Sequence, residues 1–251
     1  MHVFFVEGTS LAAGSEVTLA PADLNHACRV LRLQKDSPVI VSDGQGLAFK
    51  GIITALTPRE GRVRLAAAVP PAESPLRVTL MQALVKGEKM DLIVRQAVEL
   101  GVARLVPVAT GRSIPRLNAA KEAGRLERWR KIARAAAAQC RRAVIPVVEP
   151  LHSFAEVLAL VGGAMTLVPW EKERHLSLGA LLRQPGPGDG ALLVFVGPEG
   201  GFSAAEAKLL TAAGARTVQL GPRILRAETA AAAVLGLVQA AWGDLGGDSH
   251  R

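Results

Sequence analysis

Two short apolar segments in the last quarter of the chain end in turns built from glycine and proline. The run Leu192–Val196 stops at the sequence GPEGG of residues 197–201, and the run Thr217–Leu220 stops at Gly221-Pro222. A continuous apolar run of this length, containing β-branched residues, predicts a strand buried in a parallel sheet. Because ligands of open α/β sheets bind beyond the carboxyl ends of the strands, the two turns predict one ligand site.

The residues around these turns favour a site over simple loop punctuation. Glycines leave backbone N–H and C=O groups uncovered, so that a flat ligand can approach closely. Ser203 and Glu206 have the spacing of a capping box and predict a helix start. After the second turn, Arg226 and Glu228 are charged residues inside an apolar, alanine-rich helical segment, where charges need partners.

The chain from Leu76 onward alternates strand-like and helix-like segments, which predicts an α/β domain with a mostly parallel sheet and helices on both faces. Its helix 89–100 places apolar residues at helical spacing: Met90, Ile93, Val94, Ala97 and Val98. The other predicted strands are 76–83, 104–108, 144–148 and 164–168, and the other predicted helices are 119–141, 153–161 and one that starts near Arg174.

Residues 1–72 differ from the remainder, since short strand-like runs follow one another with turn signals between them. One helix, Pro21–Leu33, interrupts the strands, and the whole predicts a small β-barrel. The proline-rich stretch Val69–Pro75 is the predicted linker. We therefore expect two domains, 1–72 and 73–251.

Composition excludes several classes of protein. The chain has 251 residues, of which 49% are hydrophobic, and no apolar run reaches the ~18 residues of a membrane span. Its two cysteines, Cys28 and Cys140, are far apart, which fits a reduced, cytoplasmic setting. The five histidines are scattered without ligand spacing, so no metal site is expected.

Positive charge is concentrated in one segment. The formal net charge is +8, and residues 104–142 hold eleven Lys and Arg against two acidic residues, which accounts for the whole excess. Such a segment indicates a polyanionic partner or, alternatively, an arginine-rich solvated helix face. Aromatic residues are few and tyrosine is absent, which argues against base stacking as the main mode of nucleic-acid binding.

The common nucleotide-binding motifs are missing. No G-x-G-x-x-G follows the predicted strand 76–83, and no G-x-x-x-x-G-K-[ST] occurs. NAD and ATP in their usual sites are therefore not expected, and spacing alone does not name the ligand.

The segments 197–203 and 220–230 (LGPRILRAETA) closely resemble the RsmE family of ribosomal RNA methyltransferases, which belongs to the SPOUT superfamily. The resemblance extends over nearly the whole chain. His26 with residues 29–32 looks like the family's PUA-like RNA-binding domain. Further similar segments are 86–91, 99–102, 112–113, 128–132, 139–142 and 145–146.

The resemblance implies a trefoil-knotted domain that holds S-adenosylmethionine in three loops, 167–171, 197–201 and 220–225. It implies a homodimer whose active site is completed across the interface. The implied reaction is methylation of uridine N3 in the decoding region of 16S rRNA, within the small ribosomal subunit. The implied cofactor residues are Leu167, Pro169, Trp170, Gly197, Pro198, Glu199, Gly200, Gly201, Leu220, Gly221, Ile224, Leu225, Thr229 and Ala230.

Three residues are the predicted catalytic groups. Arg226 is expected to stabilise the charge that deprotonation of N3 leaves on the uracil carbonyl oxygens; the alternative is an ion pair with Glu228 or Glu199. Glu228 then orients Arg226, whereas Glu199 either contacts the substrate base or closes a loop. The predicted RNA contacts are His26, Arg29, Arg32, Lys86, Lys89, Arg112, Arg116, Arg128, Lys131, Arg141 and Arg142.

The N-terminal domain departs from the family pattern at two places. His2-Val3 stands where the family usually has an arginine, and Lys35-Asp36-Ser37 stands where a glycine is usual. Two other functions stay open: methylation of a different RNA position, such as a tRNA ribose, and a non-catalytic RNA-binding factor of ribosome assembly.

Overall fold

The computed structural model describes residues 1–6, 8, 10–70, 72–113 and 119–247. The chain divides into two compact units. The first comprises residues 1–73 and 134–145, and the second comprises residues 74–133 and 146–251.

The first unit is built on a five-stranded sheet with the strand order β1-β3-β4-β5-β2. Strands β1 and β3 are parallel, and the remaining pairs are antiparallel. Its core contains Phe4, Val39, Ile53 and Leu65 among others. The strands are β1 His2–Phe5, β2 Glu16–Thr18, β3 Pro38–Ser42, β4 Ala48–Leu56 and β5 Gly61–Val69. The predicted small β domain is confirmed, and its closure into a barrel stays a prediction.

The predicted helix 21–33 is shorter and less regular than expected. Helix α1 covers Pro21–Asn25 and continues as a π-helical turn over His26–Val30, in which Leu31 N donates to His26 O at 2.9 Å. After it, Asp36 has φ +70°. This left-handed backbone explains why a glycine is usual there; aspartate is one of the few other residues that tolerate it.

Residues 134–145, distant in sequence, complete the first unit. The Arg134 guanidinium lies 5.3 Å from the Phe5 ring centroid and donates to Phe5 O at 2.8 Å. Arg142 is buried and donates to Glu73 Oε2 from Nε and Nη2 at 3.0 and 2.6 Å. Glu73 Oε1 accepts from Val144 N at 3.1 Å, so that one carboxylate fixes the end of this segment.

The second unit contains a parallel sheet with the order β12-β10-β11-β6-β7-β8, and β9 also pairs with β7. All of its strand pairs are parallel. The strands are β6 Arg77–Ala83, β7 Arg104–Ala109, β8 Val147–Val148, β9 His152–Ser153, β10 Met165–Pro169, β11 Ala191–Val196 and β12 Arg216–Val218. The helices that follow along the chain are α2 Lys89–Glu99, α3 Ala119–Gln139, α4 Phe154–Leu158, α5 Leu178–Leu181, α6 Ala204–Ala212 and α7 Ala227–Trp242. Residues 134–139 of α3 belong to the first unit. The predicted α/β class is therefore confirmed.

Local signals explain where these helices start and which faces they bury. The five apolar residues predicted on α2 are all buried. The capping box of Ser203 and Glu206 starts α6, and Ser153 with Glu156 forms a second one at α4. The predicted strand 144–148 is reduced to Val147–Val148, and the helix expected near Arg174 is the single turn of α5. The implied knot and the predicted division at residues 72 and 73 stay predictions.

Among the helices of the described residues, none is long and apolar enough to cross a membrane.

Candidate active site

A cleft of about 410 Å³ opens in the second unit where three loops follow strands β10, β11 and β12. Strand β10 pairs with both of the others, so the carboxyl ends of all three lie side by side at one edge of the sheet. The lining residues are Pro169, Trp170, Glu171, Arg174, Val196, Gly197, Pro198, Glu199, Gly200, Gly201, Phe202, Gln219, Leu220, Gly221, Pro222, Arg223, Ile224, Leu225, Ala227 and Ala230. The two glycine–proline turns thus meet in space at one cleft.

The turn at 197–201 is held in shape by its own backbone and by a neighbouring side chain. Gly201 has φ +62° and donates its N–H to Pro198 O at 2.9 Å. Arg112 Nη1 donates to Gly200 O at 2.8 Å. Arg112, predicted to contact RNA, is therefore bonded to a cleft-lining turn.

Glu199 joins this turn to the start of α2. Its Oε1 accepts from Lys86 N at 3.0 Å and from Lys89 Nζ at 3.1 Å. Burial works to raise the pKa of Glu199, but N–H donors from Lys86 and from Glu199 itself, together with the Lys89 ammonium, outweigh it and lower this pKa. Of the two roles that the sequence left open for Glu199, this bonding favours closing a loop.

The same ammonium group reaches a second predicted catalytic residue. Lys89 Nζ lies 3.7 Å from Glu228 Oε2, on the first turn of α7. That oxygen is buried and has no hydrogen-bond donor among the described residues. Lys89, predicted to contact RNA, is thus shared by two carboxylates beside the cleft.

Gln82 contacts the cleft-lining Gly197 and was not among the predicted site residues. It lies at the end of β6, is fully buried, and its Nε2 donates to Ala83 O at 2.9 Å and more weakly to Gly197 O at 3.5 Å. The signal in the sequence is a single polar residue within the apolar run 80–85. Arg174, Gln219 and Ala227 also line the cleft without having been predicted.

The loop after β10 is organised by one carboxylate. Glu173 accepts from Thr217 Oγ1 in a short hydrogen bond and from the N–H groups of His175 and Leu176 at 2.7 and 3.3 Å. These donors, first of all the Thr217 hydroxyl, lower the pKa of Glu173 to about 2. Since Thr217 is in β12, this bond ties the first loop of the cleft to the strand that precedes the second turn.

The turn at 221–225 is open by comparison. Among the described residues, no hydrogen bond to residues 221–225 is found. Residues 221–224 are exposed, and 85% of the Ile224 surface is accessible although the residue lines the cleft. Ile224 thus presents an exposed apolar surface at the wall of the cleft.

Arg226 follows this turn as the N-terminal cap residue of α7, and it is exposed. No ion pair of Arg226 with Glu228 or Glu199 occurs in the part of the chain that the structure describes. Both carboxylates form ion pairs with Lys89 instead. Two predicted cofactor residues are not on the cleft wall: Leu167 is fully buried in β10, and Thr229 is exposed on α7.

The other predicted RNA contacts differ in how accessible they are and in whether they are paired. His26, Arg29, Arg32, Lys86, Lys131 and Arg141 are exposed. Arg128 pairs with Asp91 and, at 3.7 Å, with Glu88. Arg142 is only 5% exposed and bonded to Glu73, which is contrary to its predicted contact with RNA phosphates. Arg116 lies outside the described residues.

Within the described ranges, no group of three or more His, Cys, Asp or Glu side chains is arranged to hold a metal ion.

Comparison with known proteins gives the same picture for both units. Residues 72–239 match the family model of the RNA methyltransferase domain, and residues 19–65 match that of the RNA methyltransferase PUA domain. The ribosomal RNA small subunit methyltransferase E of Synechocystis is 37% identical over 89% of this chain and 73% of its own length. The protein of the same name from Mycobacterium tuberculosis is 35% identical over 85% of this chain and 82% of its own length.

A solved structure is similar along nearly the entire chain. The crystal structure of a ribosomal RNA small subunit methyltransferase E from Neisseria gonorrhoeae, bound to S-adenosyl methionine, matches with a TM-score of 0.88 and 33% sequence identity. The match covers 97% of this chain and 99% of that one.

Proposed function

Because this chain belongs to the family of ribosomal RNA small subunit methyltransferase E, we propose that it methylates N3 of one uridine in the decoding region of 16S rRNA, with S-adenosylmethionine as methyl donor. The observation that carries this proposal is the cleft in which the two glycine–proline turns meet beside Trp170. Its volume of about 410 Å³ lies in the range of small-molecule sites.

The residues of the cleft fit such a donor. The turn at 197–201 offers uncovered backbone to polar groups, while Ile224 and Leu225 offer an apolar surface to a flat ring. Gly197–Gly201, Trp170, Ile224, Leu225 and Ala230 would hold the donor. When bound, S-adenosylmethionine supplies a sulfonium methyl group with a good leaving group already attached.

The chain then has to align the uracil ring and manage the charge on it. Removal of the N3 proton leaves negative charge shared with the two carbonyl oxygens of the ring. Arg226 is the group proposed for this charge. Two observations support it: Arg226 precedes the cleft-lining Ala227 at the start of α7, and its guanidinium has no ion pair within the described residues. A guanidinium that is not engaged elsewhere can donate to a developing anion without first breaking an ion pair.

The substrate and its docking belong to the proposal as well. The exposed cations His26, Arg29, Arg32, Lys131 and Arg141 would bind rRNA phosphates, without sequence readout of their own. We place the enzyme in the cytoplasm, acting on rRNA of the small subunit. A homodimer is supported by the accessible positions Leu237, Ala240 and Ala241 of α7, a helix whose sequence is almost entirely apolar.

Two measurements test the proposed function. Isothermal titration calorimetry should detect binding of S-adenosylmethionine, and the absence of binding would leave only a non-catalytic RNA-binding role. Mass mapping of 16S rRNA from a deletion strain should show the loss of one N3-methyluridine, restored by the wild-type gene. An unchanged N3-methyl signal would contradict the proposed position and favour another RNA target.

A further inference from the structure

Unpaired buried acceptors are concentrated around the candidate active site. Three buried side-chain oxygens of the described residues have no hydrogen-bond partner: Asp23 Oδ2, Gln82 Oε1 and Glu228 Oε2. Two of these three belong to residues that support the cleft. Because buried polar groups in proteins are almost always paired, acceptors without a donor next to a cleft indicate donors that a ligand or water supplies.

Glu228 is the charged member of this set. In sequence Glu228 lies between Ala227 and Ala230, which both line the cleft. Its own side chain is 15% accessible. It belongs to the first turn of the 16-residue helix α7, whose N-terminal end favours a negative charge. One oxygen of this carboxylate therefore lacks a hydrogen-bond donor among the described residues, close in sequence to two cleft-lining alanines.

The neighbouring carboxylate of Glu199 differs in this respect. Glu199 Oε1 accepts both the N–H of Lys86 and the ammonium of Lys89 at about hydrogen-bond length, 3.0 and 3.1 Å. The Lys89 ammonium is 3.7 Å from Glu228, too far for a hydrogen bond. Lys89 itself carries three donors and no acceptor, so it cannot take a proton. Of the three groups, only Glu228 has a buried oxygen that lacks a hydrogen-bond donor among the described residues.

We propose that Glu228 is the catalytic residue that accepts the N3 proton of the target uracil. This inference rests on the proposed function, because it requires uracil N3 as the methyl acceptor. The N3–H bond breaks and an O–H bond forms on Glu228, while the nitrogen lone pair forms the new N3–CH₃ bond. The S–CH₃ electron pair stays on sulfur, which leaves as a neutral thioether, and Glu228 returns its proton to solvent afterwards.

A carboxylate is a sufficient base for this step. Free uracil holds its N3 proton firmly, but a guanidinium that donates to the ring oxygens stabilises the uracil anion and so makes N3–H a stronger acid. The proton therefore passes to the carboxylate as the methyl group arrives. Arg226, on the other side of Ala227 in sequence, holds the charge on the ring oxygens during the same step.

The test compares Glu228→Gln with the wild type in single-turnover methylation of 16S rRNA. Glutamine keeps the shape and removes the base, so we expect the rate to fall about 100-fold or more. The dissociation constants of S-adenosylmethionine and of rRNA, measured by calorimetry and by fluorescence anisotropy, should stay within twofold. The matched control is Glu99→Gln, which makes the same change at an exposed residue at the end of α2. This variant should keep the wild-type rate.

A second readout separates proton transfer from a structural role. The rate of Glu228→Gln should rise with pH as uracil N3 ionises by itself, and rRNA containing 5-fluorouracil, whose N3–H is more acidic, should rescue this variant more than the wild type. Three results would each overturn the proposal. They are a full methylation rate in Glu228→Gln, a loss of affinity for S-adenosylmethionine equal to the loss of rate, and the absence of rescue by 5-fluorouracil. Failure of the proposed function would look different, because the wild type itself would then form no N3-methyluridine.

Discussion

The turns at 197–201 and 221–225 follow the two strands that flank β10, yet their surroundings differ. The first is bonded from several sides: Arg112 donates to Gly200, Glu199 accepts from Lys86 and Lys89, and Gly201 is bonded to Pro198. The second has no hydrogen bond among the described residues, and its Ile224 faces solvent.

The difference separates two tasks of one binding cleft. A wall that is fixed before the ligand arrives costs little ordering entropy on binding and sets the geometry of the ligand. A wall without internal bonds can adjust to the ligand and exclude water from it. We therefore expect changes in the first turn to alter stability and binding together, and changes in the second to alter binding alone.

The largest effect should come from Gly197→Ala. An added Cβ would lie 3.2 Å from Cε2 of Phe202, a buried ring packed edge-to-face on Phe195 with centroids 4.8 Å apart. Overpacking of this kind costs about 1–3 kcal/mol, and displacement of the turn should weaken binding of S-adenosylmethionine at least tenfold. Chemical denaturation and calorimetry measure the two quantities.

Gly200→Ala is the control for stability, since its Cβ would lie at an ordinary 3.6 Å from Arg112 Cδ. Its free energy of unfolding should stay within about 0.5 kcal/mol of wild type. Equal destabilisation by both substitutions would show that packing against Phe202 does not fix the first turn.

A smaller effect is expected for Arg112→Met, which removes the donor to Gly200 O and keeps most of the side-chain volume. A hydrogen bond of this kind contributes about 1 kcal/mol, which corresponds to about fivefold weaker binding of S-adenosylmethionine. Hydrogen exchange at residues 198–201 should increase. Arg223→Met, its counterpart on the second turn, should leave exchange at residues 221–225 unchanged, and an increase there would remove the distinction between the turns.

Ile224→Ser should weaken binding of the donor about threefold, because a ligand that covers Ile224 gains part of the ~1.5–3 kcal/mol of a buried aliphatic side chain. Its stability should match that of the wild type, since the residue is 85% exposed. Leu209→Ser replaces an exposed aliphatic residue of α6 that does not line the cleft, and it should leave the affinity unchanged. If Ile224→Ser lowered the free energy of unfolding of the cofactor-free protein, the turn at 221–225 would not be open as described.

The smallest effect concerns pH and the brace between Glu173 and Thr217. The pKa of Glu173 is about 2 in the folded protein, below its ordinary value of 4.5. Its contribution to stability is thus present above pH 4.5 and is lost as the pH falls from 4.5 towards 2. Above pH 4.5 the free energy of unfolding of the wild type should exceed that of Glu173→Gln by less than about 1 kcal/mol, because the half-buried carboxylate keeps contact with water. Denaturant titrations at several pH values should show the difference shrinking below pH 4.5, and a constant difference would contradict it.

The sequence was a good guide where local pattern decides the structure. Buried strands that end in glycine and proline predict the cleft, because β-branched runs, turns and parallel crossovers place those ends at one edge. The helix start at Ser203 follows from its own neighbours in the same way.

Pairing of charges could not be read from the sequence. Arg142 looked like other arginines of a basic segment, and only folding places it against Glu73, 69 residues away. Lys89 and Arg112 are bonded to cleft residues more than 85 positions distant. Gln82 was detectable in principle, since a lone amide in a buried strand needs partners.

The buried contact of Arg142 with Glu73 has a consequence for synthesis on the ribosome. The chain emerges from its amino terminus, so residues 1–73 are complete well before Arg142 exists. Until then the Glu73 carboxylate lacks both the Arg142 guanidinium and the Val144 N–H that it binds in the folded protein. The amino-terminal unit therefore closes only after strands of the carboxy-terminal unit have been made, and translation order delays the part of the molecule that comes first.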